Sequence, residues 1–86
     1  MRPEDKRVDI TIDRIVIREV EGRHWLILRD TEGRTYQKID CLQVSRRGEM
    51  AEESEAILLM QSGDKVSLTY RTVKHGALEL ETANLI

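Results

Sequence analysis

The sequence contains no phenylalanine, one cysteine and one proline, and its aromatic content is confined to Trp25, Tyr36 and Tyr70. With so few rings, aliphatic side chains must build the core, and an aromatic on the surface needs a reason. The single Cys41 cannot form an internal disulfide, which excludes the cystine-stapled class of small secreted domains. One proline and five glycines exclude collagen-like and Pro-rich chains. The longest uninterrupted apolar run, Ala56 to Met60, is far shorter than the ~20 residues of a membrane-spanning helix. Met1 to Arg7 is charged and no apolar segment follows it, so no signal peptide is expected and a cytoplasmic location is the default.

At 86 residues the chain is one domain, with room for a single compact core. It is 40% hydrophobic and 35% charged, the composition of a globular protein rather than a disordered one. The formal charge of −2 gives no overall attraction to polyanions. A nucleic-acid site would have to be a local basic face, with the acid placed elsewhere.

Residues 1–6 read as a flexible lead-in, and 7–86 as one domain. From Val8 the pattern alternates strictly, with Val8, Ile10 and Ile12 apolar, as in a half-buried strand. The apolar parity then switches to Ile15 and Ile17, which one extra residue at Asp13-Arg14, a β-bulge, would produce. Glu21-Gly22 marks a turn, His24 to Arg29 a second strand, and Asp30 to Gly33 a tight hairpin connection. Arg34 to about Cys41 is a third strand.

The period then changes. Glu49 to Gln61 carries Met50, Ala51, Ile57 and Leu58 on one helical stripe, widened by Ala56, Leu59 and Met60. Glu49, Glu52 and Glu53 suit its first turns, and Gly63 suits its stop. Asp64 to Val73 alternates again, with Val66, Leu68 and Tyr70 on one face. Lys74-His75-Gly76 turns the chain into a last strand, Ala77 to Thr82, and Leu85 and Ile86 are expected to tuck against the body.

The fold expected is therefore mainly β: a small five-stranded Greek-key barrel of the OB type, β-β-β-α-β-β, with one helix between strands 3 and 4. An SH3-like barrel is the runner-up, and the long helix before strand 4 fits it poorly.

The hairpin of strands 2 and 3 sorts into two faces by parity. A loop of four residues or of two both place Trp25, Ile27, Arg29, Arg34, Tyr36 and Lys38 on one side and His24, Leu26, Leu28, Thr35, Gln37 and Ile39 on the other. The second set has no formal charge and reads as core, while the first, two aromatics among three cations, reads as an outer face. Bases stack on such rings and cations follow the phosphates. Arg23, Lys74 and His75 would join this face from the loops. The alternative is a packing patch covered by a terminus or by a partner subunit, with Arg and Lys solvating its edge.

The stretch from His24 to Gln37 also resembles the LRD-x-x-G-x-x-Q hairpin of anticodon-binding-type OB domains, which occur in aminoacyl-tRNA synthetases and in several replication and repair proteins. Gly63-Asp64-Lys65-Val66, followed by Gly76 to Ile86, is similar to the GD-x-V … G-x-x-E-L … I ending of those domains. The resemblance covers about half of the chain. It implies polynucleotide binding on the face of strands 2 and 3, carried over to Trp25, Arg29, Tyr36 and Gln37. The chain departs from the pattern at Leu68-Thr69-Tyr70-Arg71, where a glycine is usual.

No catalytic site, cofactor or metal is expected. His24, Cys41 and His75 lack zinc-ligand spacing, and Glu52, Glu53 and Glu55 form a solvated helix face rather than an acid/base pair in a pocket. The glycines are scattered as turn residues, and Arg46-Arg47 is too short a basic run to be a patch. The expected activity is binding of single-stranded or unpaired nucleic acid. The alternative is a non-catalytic interaction or assembly subunit that meets a protein partner, or a second copy, through the same face or an edge strand.

Overall fold

A computed structural model describes residues 5–40 and 52–86. The chain is mainly β, with β1 (Lys6–Val20), β2 (Arg23–Asp30), β3 (Thr35–Ile39), a short helix α1 (Glu52–Leu58), β4 (Lys65–Thr72) and β5 (Leu78–Leu85). The five strands form one sheet that closes in a ring, in the order β1-β2-β3-β5-β4, with β4 returning to β1. Cys41, Arg46-Arg47, Glu49, Met50 and Ala51 lie outside the described residues.

β1 makes the ring possible because it serves two neighbours. Lys6 to Thr11 pairs with β4, and Ile12 to Val20 pairs with β2. The register slips between Ile12 and Arg14, so the parity switch in the sequence is a β-bulge that bends the strand from one partner to the other. The strand starts within the expected lead-in: Lys6 already pairs with Tyr70. Asp5 meets Arg71 at 3.3 Å, and Arg71 meets Glu81 at 2.6 Å.

The core collects Ile12, Leu26, Leu28, Tyr36, Ile57, Val66, Leu68 and Leu80, with Met60, Tyr70 and Ala83 at its edge. Each large aliphatic side chain taken fully from water contributes about 1.5–3 kcal/mol. Among the described side chains of the helical segment, Ile57 and Met60 are buried and Leu58 packs against the core, while Ala56 is exposed and Leu59 is 80% exposed. Ala56 and Leu59, expected to widen the helical stripe, thus face solvent. Gly63, at φ +93°, donates its N–H to the Ile12 carbonyl, and Ile12 donates to that of Asp64, which fastens the end of this segment to the β1 bulge. β5 runs on past its expected end to Leu85. Ala83 is buried, but Leu85 and Ile86 are 64% and 73% exposed rather than tucked in.

The β2–β3 hairpin corrects the expected faces. Asp30 donates its N–H to the Arg34 carbonyl at 2.9 Å, and Gly33, at φ +88°, donates to the Asp30 carbonyl at 3.0 Å. The loop is therefore three residues, Thr31 to Gly33, with glycine in the left-handed position of a bulged turn. Three is odd, whereas loops of two and four are both even. The pairing becomes Leu28↔Tyr36, Ile27↔Gln37 and Leu26↔Lys38, and every β3 side chain changes face. Tyr36, expected outside, is fully buried in the core. Arg34 and Lys38 share its parity and leave the Trp25 face. They sit near the two ends of the strand, where Arg34 remains exposed and Lys38 half-buried. Thr35, Gln37 and Ile39, expected in the core, point outward. The ring closes between β3 and β5 through one parallel pair, Gln37↔Glu79.

Candidate nucleic-acid interface

Because Leu26 and Leu28 are fully buried, their neighbours Trp25, Ile27 and Arg29 project from the opposite face of β2. Register supplies the rest of that face. Across from them on β1 stand Arg18, Val16 and Arg14, and on β3 Ile39, Gln37 and Thr35. The outer surface is thus built of three cross-strand rows, Arg14–Arg29–Thr35, Val16–Ile27–Gln37 and Arg18–Trp25–Ile39, and beyond them Val20 faces Arg23. Successive rows are about 7 Å apart, two residues of strand rise.

Trp25 is half-buried. With Arg18, Val20, Ile27 and Gln37 it lines an open depression of about 330 Å³. Val20 is 53% exposed at its rim. An indole wall, two aliphatic side chains and one amide suit a flat ring with polar edges.

The cations divide into two groups. Arg23 makes a two-pronged contact with Asp40, Nη2 to Oδ2 at 2.7 Å and Nε to Oδ1 at 3.3 Å. This hydrogen bond and charge pair raise the Arg23 pKa and hold the Asp40 carboxyl below its ordinary value. Arg29 Nε lies 3.6 Å from Asp13 Oδ2. Arg14 and Arg18, both exposed, have no carboxylate within ion-pair distance among the described residues. His24 meets Glu19 at 3.6 Å on the other side of the ribbon.

Tyr36 and Arg34 lie apart from the depression. Tyr36 packs edge-on to Tyr70, ring centroids 5.4 Å apart, and donates its phenol to Asp30. Burial, reinforced by the Asp30 charge, pushes its pKa up to about 12. Arg34 lies over the Tyr70 ring, 5.6 Å from its centroid, and donates to the Tyr70 hydroxyl at 3.3 Å. Lys74 and His75 form the β4–β5 turn, with His75 at φ +66° and exposed.

Sequence reasoning on the hairpin missed Arg14, Val16 and the face position of Arg18. The signal was present: with Ile15 and Ile17 inward after the bulge, Arg14, Val16 and Arg18 must point outward. Among the described residues no three His, Cys, Asp or Glu side chains are grouped to hold a metal ion, and no helix is long and apolar enough to cross a membrane. The chain matches no protein-family model and no curated protein is a significant relative, so the functional reading rests on the geometry of the Trp25 face.

Proposed function

We propose that this chain is a small OB-type barrel that binds single-stranded or locally unpaired nucleic acid on the outer face of β1, β2 and β3, as a non-catalytic cytoplasmic module. The ring order, the parallel β3–β5 pairing and the helix between β3 and β4 agree with the five-stranded Greek-key barrel whose strand 2–3 face takes oligonucleotides. The observation that carries the reading is the outward Trp25 indole set beside Arg18, with an apolar depression and an amide next to it. A base stacked on one aromatic contributes roughly 1–3 kcal/mol, and neighbouring guanidiniums add a salt-dependent term. With Tyr36 in the core the platform holds one stacked base, so affinity is modest.

The test is a Trp25 fluorescence titration with mixed-sequence single-stranded DNA and RNA at two salt concentrations. Quenching that weakens steeply with salt is expected. Unchanged fluorescence together with no retention of oligonucleotides at low salt overturns the proposal.

A second reading draws on Val20 at the rim and on half-buried Val16, Ile27 and Ile39 around Trp25. The same face then meets a protein partner or a second copy of the chain. A dimer in sedimentation that shields Trp25 from iodide supports that reading, and a monomer with a readily quenched indole opposes a dimer.

A further inference from the structure

Resting on the nucleic-acid reading, we infer that the bound strand runs along β1, with Arg14 and Arg18 holding its phosphates, rather than crossing β2 and β3. Among the described residues four cations, Arg14, Arg18, Arg23 and Arg29, occupy the outer face, but they are not equally available. Arg23 is held in two-pronged geometry by Asp40, and Arg29 stands beside Asp13. A phosphate approaching either would meet a carboxylate and would have to replace an existing ion pair. The outward side chains of β3, Thr35, Gln37 and Ile39, carry no charge at all. Among the described residues, the outer-face cations without an ion-pair partner are therefore the two on β1.

The spacing fits one strand held at two points. Arg14 and Arg18 are four residues apart on the same edge, about 14 Å by strand rise. That is too far for a single phosphate, so they engage separate phosphates of one extended chain. Arg18 faces Trp25 across the β1–β2 pairing and lines the same depression. A base stacked on the indole thus places its own backbone over β1. The pairing of β1 with β4 ends at Thr11, and among the described strands only β2 lies beside Arg14 to Val20. The acid nearest this path is Asp13, next to Arg14 in the chain and engaged with Arg29 at 3.6 Å; Glu19 has its side chain on the opposite face with His24, and Glu21 lies in the turn.

The experiment is a salt series of Trp25 quenching by mixed-sequence single-stranded DNA, for the whole chain and for Arg14→Ala, Arg18→Ala, Arg23→Ala and Arg29→Ala. Arg14→Ala and Arg18→Ala should each reduce the slope of log affinity against log salt by about 0.7, which shrinks the affinity loss between 50 and 200 mM salt by about threefold apiece. Arg18→Lys should restore the slope, since it keeps the charge. Arg23→Ala and Arg29→Ala should leave the slope near that of the parent. Equal effects at all four positions, or larger ones at Arg23 and Arg29, overturn the β1 path while leaving nucleic-acid binding intact. A parent protein that binds no oligonucleotide at low salt removes both.

Discussion

The Tyr36 phenol donates to Oδ2 of Asp30 at 3.2 Å, and the other oxygen of that carboxylate accepts the backbone N–H groups of Glu32 and Arg34. Both residues are buried, at 0% and 2% exposure. One carboxylate therefore ties the three-residue loop to the core, and the loop in turn decides which β3 residues face outward.

Tyr36→Phe keeps the ring and removes the donor, leaving a buried carboxylate oxygen without it. The expected loss is about 1–3 kcal/mol of stability, read from the urea midpoint. An unchanged midpoint would show that the phenol bond contributes nothing net.

The same residue sets a pH dependence. The Tyr36 pKa in the fold is about 12, above the ordinary value of 10, so the folded state retains a proton that the unfolded chain releases. Its contribution is whole below pH 10 and is lost as pH rises from 10 through 12, a fall of up to about 3 kcal/mol. Urea midpoints measured from pH 8 to 12 should show this decline, and Tyr36→Phe should flatten it.

Gly33 has room for a methyl group, since among the described residues an added Cβ would meet Arg29 Nη2 alone, at 4.0 Å, but its φ of +88° does not suit an L side chain. Gly33→Ala should destabilise by about 1–2 kcal/mol through backbone strain. Thermal unfolding of the variant checks this, and an unchanged midpoint would mean that the turn adopts another form.

The helical segment offers an internal contrast. Ile57→Ala empties a fully buried site and should cost about 2–5 kcal/mol, while Leu59→Ala, at a position 80% exposed, should change stability by less than about 0.5 kcal/mol. Similar losses in denaturant unfolding would contradict the docking of this segment through Ile57.

Trp25→Ala should weaken oligonucleotide binding by roughly 1–3 kcal/mol if a base stacks on the indole. Circular dichroism and the urea midpoint should stay close to those of the parent, because the side chain lies outside the core. Retained affinity would remove the stacking platform.

Much of the fold was legible in the sequence for identifiable reasons. The apolar alternation of Val8 to Ile12 and the switch to Ile15 announced both β1 and its bulge, and Gly33 and Gly76 marked turns that the structure contains. The outer face was half legible. Trp25, Ile27 and Arg29 follow from the burial of Leu26 and Leu28, but the placement of Tyr36 depended on whether the loop held an odd or an even number of residues. The sequence Asp30-Thr31-Glu32-Gly33 does not declare that number, because glycine serves loops of two, three and four residues alike. The polarity of β3 misled as well. Thr35 and Gln37 are uncharged and passed for core, whereas Tyr36 hides a hydroxyl that a buried aspartate satisfies. The extension of β5 to Leu85 and the exposure of Leu85 and Ile86 were beyond reach because strand ends are set by neighbours rather than by composition.

The ring also carries a consequence for how the molecule comes together. Lys6 lies against Tyr70 and Val8 against Leu68, so the first half of the chain's longest strand finds its partner more than half a sequence away. Such distant pairings must wait for large loops to close, and chains dominated by them reach the native state in milliseconds to seconds rather than microseconds. Assembly should accordingly begin in the β1–β2–β3 meander, whose contacts are local, with annealing of β4 against the first residues of β1 as the slow, final event.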